Sequence, residues 1–464
     1  MNTTLSSRFQ KLKKSNTIQM LPVILALAWP TMLEQLMQTA VQYIDTAMVG
    51  TLGTQATAAV GATSTVNWLV SSTISAIGVG FLSYISQAIG AGKEDRAKKA
   101  AAQAVLVAAV TGIFFTILLV LISPLVPVWM QVDPSIRAMA SRYFLILYLP
   151  MLFRSTNIIL GTVLRAAGDT KTPMKVGFFI NLINVVLNFF LIYETRSVSI
   201  GSVSFVIPGA GWGIVGAAAA SAVAYTYGGI AIFIRLYRHP LISPRSQSLR
   251  PAPDVLRPCL RVAFPNMMQR FATSLGYVFF ASMINSLGEI STAAHTIANT
   301  VESAFYIPGW GMQTAAATLS GNAKGANDET RLKRLAKMII PLEVGLMFLS
   351  GGLLFLFAPL LMQIFSKDPQ VLALGTTVLR MVAVSEPFYG VPIVIEGMMQ
   401  GLGKTSASFL FNVLGMWGVR IVGTFICTQL LGGGLIAAWG CMIAHNILLF
   451  VLFGMHYLSG RWKA

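Results

Sequence analysis

Runs of about twenty apolar residues recur along the whole chain, separated by short polar stretches, and this pattern limits the possible folds more than any motif does. A helix of that length crosses the hydrocarbon core of a bilayer, whereas the strands of a membrane barrel show shorter segments of alternating polarity. Hydrophobic residues make up 55% of the 464 residues and charged residues only 11%, so no soluble domain is expected. The chain is therefore predicted to be an all-α integral membrane protein.

The basic residues lie on alternate connections between the apolar runs. Consecutive clusters leave room for two spans each, and the clusters lie at residues 8–14, 93–99, 165–175, 235–261, 324–337, 404 and 461–463. By the positive-inside rule, both termini and all of these loops are cytoplasmic, which requires an even number of spans. The net charge of +17 is thus interpreted as a marker of membrane orientation and not as a nucleic-acid surface.

Length and hydropathy predict about twelve transmembrane helices. Their approximate limits are 20–49, 56–89, 98–124, 136–163, 173–194, 210–236, 258–287, 292–321, 336–362, 370–399, 406–430 and 433–457. The proline-rich segment 239–257 is predicted to be a cytoplasmic linker between an N-terminal lobe, 1–238, and a C-terminal lobe, 258–464. The polar and basic start of the chain lacks a signal-peptide cleavage site, so insertion through the first span is expected.

The two halves of the sequence repeat each other. A shift of 235 residues without a gap places Pro30 on Pro265, Gly90 on Gly325, and Gly168 on Gly403. Because six spans separate the copies, both have the same orientation, which predicts two six-helix lobes related by a pseudo-twofold axis along the membrane normal. Such lobes enclose a central cavity around which they can rock.

Asp45 lies near the far end of the first span. A carboxylate at membrane depth is costly unless it has a partner or a function, and a bound proton or cation relieves that cost. Asp45 is therefore interpreted as a position that exchanges H⁺, with Na⁺ as the other candidate ion. The alternative is an ordinary residue at the helix end that meets water at the outer surface.

Three asparagines, Asn181, Asn184 and Asn188, are spaced by three and four residues on the fifth span, so they share one helix face. In one interpretation they form hydrogen bonds between helices, as polar residues in membrane bundles commonly do. In the other, their amide oxygens are ligands or hydrogen-bond partners for Asp45.

Polar residues form a stripe along the first span. Glu34 lies eleven residues before Asp45, and Gln38 and Gln42 lie on or near the line between them. These residues are predicted to line a cavity or to relay protons, and the alternative for Glu34 is a partnership with a basic side chain. Pro30 removes a backbone hydrogen bond and is predicted to be a hinge whose bending links the occupancy of Asp45 to the shape of the cavity.

Arg270 lies within the apolar part of the seventh span, where an arginine must be paired or hydrated. Its candidate partners by depth are Glu302, Glu386 and Glu396. A buried ion pair that fixes the lobe is one interpretation. The other is that Arg270 faces the cavity and contacts an acidic or lipid-phosphate substrate.

Several motifs together resemble the multidrug and toxic compound extrusion (MATE) family, a member of the multidrug/oligosaccharidyl-lipid/polysaccharide flippase superfamily. In the first half they are Pro30 with residues 45–50, 87–92 and 164–173, and in the second half the degenerate copies at 321–326 and 397–405. The resemblance covers nearly the whole chain and is strongest to the DinF-like branch.

This resemblance implies a secondary active efflux antiporter rather than an enzyme, in which inward protons or sodium ions drive the export of an amphipathic, usually cationic compound. It implies an ion-coupling cluster of Asp45, Asn184, Asn188 and Ser221, where Ser221 matches a hydroxyl position of related members. Sodium-driven members carry an acid at the position of Thr273, so the sequence favours protons.

The predicted ligand is a small-molecule drug or toxic compound, with no cofactor, no certain metal, no nucleic acid and no obligate protein partner. The predicted cavity residues are Glu34, Met37, Gln38, Gln42, Asn181, Arg270 and Thr273. The expected location is the bacterial cytoplasmic membrane. A flippase for a lipid-linked or anionic amphipathic substrate is the alternative, and its basic cavity would draw on Arg154, Arg270 and Arg420.

Overall fold

The computed structural model describes residues 17–130, 132–200 and 203–463. The helices of the first half are α1 (Thr17–Gly50), α2 (Thr54–Gly90), α3 (Glu94–Ile122), α4 (Val126–Trp129), α5 (Arg137–Tyr148), α6 (Met151–Ala166), α7 (Lys171–Leu191) and α8 (Gly213–Tyr237). An antiparallel hairpin, β1 (Glu194–Ile200) and β2 (Val203–Ala210), separates α7 from α8. The sequence analysis did not predict this hairpin.

The second half follows the same order of long helices. They are α9 (Pro253–Asn285), α10 (Glu289–Phe305), α11 (Ile307–Gly325), α12 (Glu329–Phe365), α13 (Pro369–Leu402) and α14 (Thr405–Val413). A π-helical segment (Leu414–Ile421), α15 (Val422–Phe425) and a second π-helical segment (Ile426–Leu430) continue α14, and α16 (Leu435–Leu458) ends the bundle. No helix or strand lies between Tyr237 and Pro253, so the end of the predicted linker, 239–257, belongs to α9.

The described residues contain nine helices that are long and apolar enough to cross a membrane, judged by length and composition. The helices α5 and α6, bent by 49° at their junction, form a tenth span when they are taken together. The predicted seventh and eighth spans correspond to α9 and to the pair α10 and α11, which are not among those ten. The all-α membrane fold is thus confirmed, and the breaks in the fourth and eighth spans are features that hydropathy did not predict.

The start of α1 packs into the second half of the molecule. Met20, Ile24 and Ala28 are buried in a core whose other members include Met312, from α11, and residues of α12, α13 and α16. Gly311 allows this close contact, because a Cβ there would lie 2.3 Å from the Cγ of Met32. The first helix therefore connects the two sequence repeats, and the lobe limits predicted above remain a prediction.

The two halves also meet at the end of the bundle that carries the basic loops, which we call the basic end. A Cβ on Gly90, at the end of α2, would lie 2.0 Å from the carbonyl oxygen of Asn322, and one on Gly325, at the end of α11, would lie 1.8 Å from that of Gln87. These two glycines are related by the sequence repeat. The backbones of α2 and α11 are therefore in contact where the helices cross, and a glycine on each helix permits this contact.

Hydrogen bonds between the halves surround this crossing. The Ser83 hydroxyl donates to the carbonyl of Gly401 at 3.1 Å, and the Gln87 amide donates to the same carbonyl at 2.9 Å. The Thr318 hydroxyl donates to the carbonyl of Arg165 at 3.2 Å. Ser83 and Thr318 are again repeat-related, so the basic end is closed by reciprocal contacts.

Replacing Gly90 or Gly325 with alanine should therefore destabilise the packed basic end. Because the new methyl group meets backbone and not a flexible side chain, each substitution is expected to cost about 1–3 kcal/mol of unfolding free energy. Gly345→Ala is the matched control, since Gly345 lies within α12 with no atom near the added Cβ, and it should be neutral or stabilising by up to about 1 kcal/mol. Thermal unfolding of the purified protein in detergent gives the melting temperature of each of the three variants. Equal melting temperatures for all three would contradict the packing described.

Candidate ion-coupling and substrate site

Four of the predicted site residues meet between α1, α7 and α8. The Asn188 amide donates to Oδ1 of Asp45 at 2.6 Å and lies 3.2 Å from Oδ1 of Asn184, and the Asn184 side chain lies 2.9 Å from Oγ of Ser221. Exchanging the oxygen and nitrogen of the Asn184 amide improves the network. Its nitrogen then donates to both oxygens of Asp45, at 2.8 and 3.2 Å, while its oxygen accepts from Ser221 at 2.9 Å.

Close packing of the helices brings these side chains together. On α8, a Cβ at Gly216 would lie 2.5 Å from the carbonyl oxygen of Leu191, at the end of α7, so only glycine permits this approach. Ser221 lies five residues further along α8 and faces the asparagines. The small residues at the start of the sixth predicted span thus position the hydroxyl.

The environment of Asp45 is that of a carboxylate held by neutral donors. Asn184 and Asn188 are buried, whereas Asp45 and Ser221 are half-buried. Among the residues that the structure describes, no basic side chain forms an ion pair with Asp45. A carboxylate in this position is able to gain and release a proton or a cation without breaking a salt bridge.

The other predicted residues of α1 and α7 extend this polar surface. Gln38 and Gln42 are exposed, and Met37 is half-buried. Asn181 is half-buried one turn from Asn184, and its side-chain nitrogen has no hydrogen-bond partner in the described part of the chain. Asn181 therefore shares the face of the other asparagines but lies outside their network.

Glu34 is an ion-pair partner. Its carboxylate accepts from Nη2 of Arg165 at 2.8 and 2.6 Å, and the two side chains are 11% and 18% exposed. Gly177 on α7 makes room for Glu34, because a Cβ there would lie 3.3 Å from its Cγ. Of the two interpretations of Glu34, the structure supports the partnership with a basic side chain, which joins α1 to the basic end of α6.

The helix α1 runs without a break through Pro22 and Pro30. Pro30 is buried, whereas Pro22 is exposed. In this state of the molecule, any hinge at Pro30 is therefore a bend within a continuous helix, and its role in conformational change stays a prediction.

The predicted ion pair of Arg270 with Glu302, Glu386 or Glu396 does not form. Arg270 is half-buried, its Nε has no hydrogen-bond partner, and no carboxylate of the described residues lies within 4.0 Å of its charged nitrogens. Glu302 and Glu396 have other partners, whereas the buried carboxylate of Glu386 has no hydrogen-bond partner among the described residues. Glu302 accepts from the hydroxyl of Tyr306.

Neutral amides surround the carboxylate of Glu396. It accepts from Gln269 at 3.0 Å, from Gln400 at 3.1 Å and from Asn412 at 3.3 Å. Three helical elements, α9, α13 and α14, thus converge on this one acid. Thr273, one turn from Arg270 on α9, is half-buried.

Two further acids of the second half are buried: Glu386, which the sequence analysis placed at membrane depth as a candidate partner of Arg270, and Glu343, which it missed. Glu343 on α12 is 0% exposed and Glu386 on α13 is 1% exposed, and no oxygen of either carboxylate has a hydrogen-bond partner among the described residues. Glycines leave space for them: a Cβ on Gly309 would lie 3.0 Å from Oε1 of Glu343, and one on Gly351 would lie 3.0 Å from Cβ of Glu386. The sequence does mark Glu343 as unusual, because it is an isolated acid inside a long apolar run.

The two other arginines considered for a basic cavity contact aromatic rings instead. Arg154 donates to the hydroxyl of Ser71 at 2.9 Å and lies 4.7 Å from the ring centre of Tyr225. Arg420 lies 4.2 Å from the ring centre of Phe280 and 4.7 Å from that of Tyr277. Both arginines are buried, so neither offers its charge to an open cavity.

The described residues contain no group of three or more His, Cys, Asp or Glu side chains that could hold a metal ion. The oxygens near Asp45 belong to amides and a hydroxyl, which are suitable partners for a proton or for a hard cation. Asp45 and these neutral groups are therefore the candidate groups for binding an ion.

Comparisons with known proteins show relatives and a shared fold along nearly the whole chain. The chain is 27% identical over 440 residues to a protein of Thermotoga maritima described as a probable multidrug resistance protein NorM, covering 95% of this chain and 92% of the relative. A solved structure of a MATE protein in complex with MaD3S has a TM-score of 0.88 and 22% identity, covering 98% and 99% of the two chains. An outward-facing MATE family transporter of the MOP superfamily has a TM-score of 0.88 and 21% identity, covering 98% of each chain.

The family model decides the assignment. The MatE family model matches residues 30–190 and, a second time, residues 265–426. The two matches begin at the repeat-related Pro30 and Pro265, in agreement with the internal duplication, and together they span more than half of the chain. The chain therefore belongs to the MATE (MatE) family of membrane transporters.

Proposed function

We propose that this protein is an antiporter that exports amphipathic, cationic drugs or toxic compounds and is driven by protons that bind at Asp45. The observation that carries the proposal is the half-buried carboxylate of Asp45, held by the amides of Asn184 and Asn188 with no cationic partner in the described chain. An acid in this environment changes charge when a proton binds or leaves. The change of charge supplies the coupling between ion and substrate.

The direction of the hydrogen bonds supports protons over sodium ions. A sodium ion needs several oxygen ligands that point toward it, as hard cations do in general. At Asp45, in contrast, the asparagines point N–H groups at the carboxylate. The carboxylate of Asp45 would therefore be the main oxygen ligand for a sodium ion bound there.

The proposed substrate follows from the polar surface next to Asp45. Gln38 and Gln42 are exposed on α1, with Met37 beside them, and a flexible thioether adapts to ligands of different shape. An ionised Asp45 would attract a cationic compound, and protonation would release it. The relatives described as probable multidrug resistance proteins support a drug as the substrate.

Alternating access requires the two ends of the bundle to open in turn. The basic end is closed by the contacts of Gly90 and Gly325, while Asp45 near the other end is half-exposed. We propose that the basic end is cytoplasmic, in the inner membrane of a bacterium, and that protonation of Asp45 bends α1 at Pro30.

Asp45→Asn should abolish coupled export, because the amide cannot change charge. We would measure efflux of a fluorescent cationic dye from proteoliposomes under an imposed pH gradient and, separately, a sodium gradient. Asp133→Asn is the matched control: the hydroxyl and amide of Ser135 hold the pKa of this exposed loop carboxylate below its usual value, so Asp133 remains charged throughout the assay.

Loss of dye transport in the Asp45 variant alone, with the pH gradient as the driving force, is the expected result. Coupling that survives in Asp45→Asn would remove Asp45 as the ion site. If the wild-type protein moves no dye under either gradient, the drug-efflux proposal fails and a flippase for an anionic amphipathic lipid becomes the function to test.

Glu34→Gln should destabilise the protein, because it leaves the guanidinium of Arg165 without its carboxylate partner. The expected loss is about 3 kcal/mol of unfolding free energy, as for other buried ion pairs from which one partner is removed. Glu343→Gln is the control, since the carboxylate of Glu343 has no partner to lose in the described chain. Melting temperatures in detergent should fall for Glu34→Gln only; a larger fall for Glu343→Gln would refute this account.

Pro30→Ala should reduce the rate of dye efflux far more than it reduces protein abundance, because it restores the backbone hydrogen bond that a bend at this point must lack. Pro22→Ala tests whether any proline of α1 has the same effect. Transport rates and membrane abundance would be measured in parallel. Unchanged efflux in Pro30→Ala, or an equal decrease in Pro22→Ala, would argue against a hinge at Pro30.

A further inference from the structure

A cavity of about 480 Å³ lies at the basic end, away from Asp45. Tyr84 and Gln87 of α2 line one wall, Arg257 and Arg261 of α9 line another, and Gly403 after α13 closes it. The helices α2 and α9 cross tightly beside it, since a Cβ on Gly80 would lie 2.3 Å from the carbonyl oxygen of Cys259. The cavity is therefore built from both sequence halves.

The cavity carries uncompensated positive charge. Arg257 and Arg261 are exposed and one helical turn apart, so both guanidinium groups lie on the same face of α9. Neither forms an ion pair with a carboxylate of the described residues. The nearest acid in sequence, Asp254, is bound by Lys99, whose Nζ lies 3.0 and 2.7 Å from its two oxygens.

An apolar surface continues from the two arginines toward the centre of the helix. Leu260 and Phe264 are 54% and 59% exposed, and with Arg257 and Arg261 they form a stripe at the spacing of one helix face. A surface with two cationic groups at its end and bare apolar side chains beyond them is complementary to an amphiphile with an anionic head.

We propose that this cavity binds the phosphate headgroup of an anionic membrane lipid, with the acyl chains lying along Leu260 and Phe264. A guanidinium binds two phosphate oxygens in parallel, and two guanidinium groups on one helix face can hold a single phosphate between them. Tyr84, which also lines the cavity, carries a hydroxyl that can donate a hydrogen bond. Leu260 and Phe264, exposed beside the arginines, favour a lipid over free phosphate as the source of this group.

The bound lipid would stabilise the closed basic end. Ser83 and Gln87, which line the cavity, also donate to the carbonyl of Gly401 across the two halves. A ligand that fits only when α2, α9 and the end of α13 are assembled favours that assembly by its binding free energy. Anionic lipid would therefore shift the transporter toward the arrangement seen here.

Binding to the full-length protein in detergent tests the proposal without any transport measurement. Short-chain phosphatidylglycerol, short-chain phosphatidylcholine and inorganic phosphate would be titrated separately, with bound ligand counted by native mass spectrometry. The double variant Arg257→Gln/Arg261→Gln is compared with Arg235→Gln/Arg238→Gln, an exposed pair at the end of α8 that does not line the cavity.

Phosphatidylglycerol should bind the wild type and the control pair alike and should bind the Arg257/Arg261 variant about tenfold or more weakly. High salt should weaken binding to the wild type, a test that needs no substitution. Unchanged affinity in the double variant, an equal loss in the control pair, or binding insensitive to salt would overturn the proposal. Equal affinities for inorganic phosphate and phosphatidylglycerol would overturn the lipid assignment.

Discussion

The energetic cost of a carboxylate within a membrane helix shapes the first half of this protein. Asp45 has no cation beside it among the described residues, so its charge is stabilised by amide donors from α7. That arrangement needs α7 and α8 in close contact, which Gly216 permits, and a hydroxyl on α8, which Ser221 supplies. Packing between helices and chemistry at Asp45 are thus set by the same few residues.

Duplication of a six-helix unit explains how one chain closes its basic end. Because the repeats have the same orientation, a residue that meets the other half in one copy tends to do so in the second copy. Gly90 and Gly325 have no side chain to obstruct the crossing. Ser83 and Thr318 each donate to a backbone carbonyl of the opposite half. Contacts of this kind can form and break together when the halves rock.

Hydropathy and spacing were enough to predict the all-α membrane fold, and helical periodicity together with the family resemblance selected the four residues that meet at Asp45. Depth in the membrane can be estimated from sequence, but the rotation of each helix about its axis cannot. Glu34 and Arg165 are 131 residues apart, and nothing in either segment specifies that they face each other. For the same reason the partners of Arg270 were misjudged, and the burial of Glu343 was overlooked.

The sequence repeat duplicates the helices but not their chemistry. The residue that corresponds to Asp45 in the second half is Phe280, which is buried against Arg420. Gln269 and Gln400 correspond to Glu34 and Arg165, and instead of an ion pair they form two neutral donors to the carboxylate of Glu396. The first half thus has a salt bridge at these positions, whereas in the second half both residues donate hydrogen bonds to one carboxylate. Two copies of one helical frame therefore hold charges in different ways, and the network centred on Asp45 is found in the first half alone among the described residues.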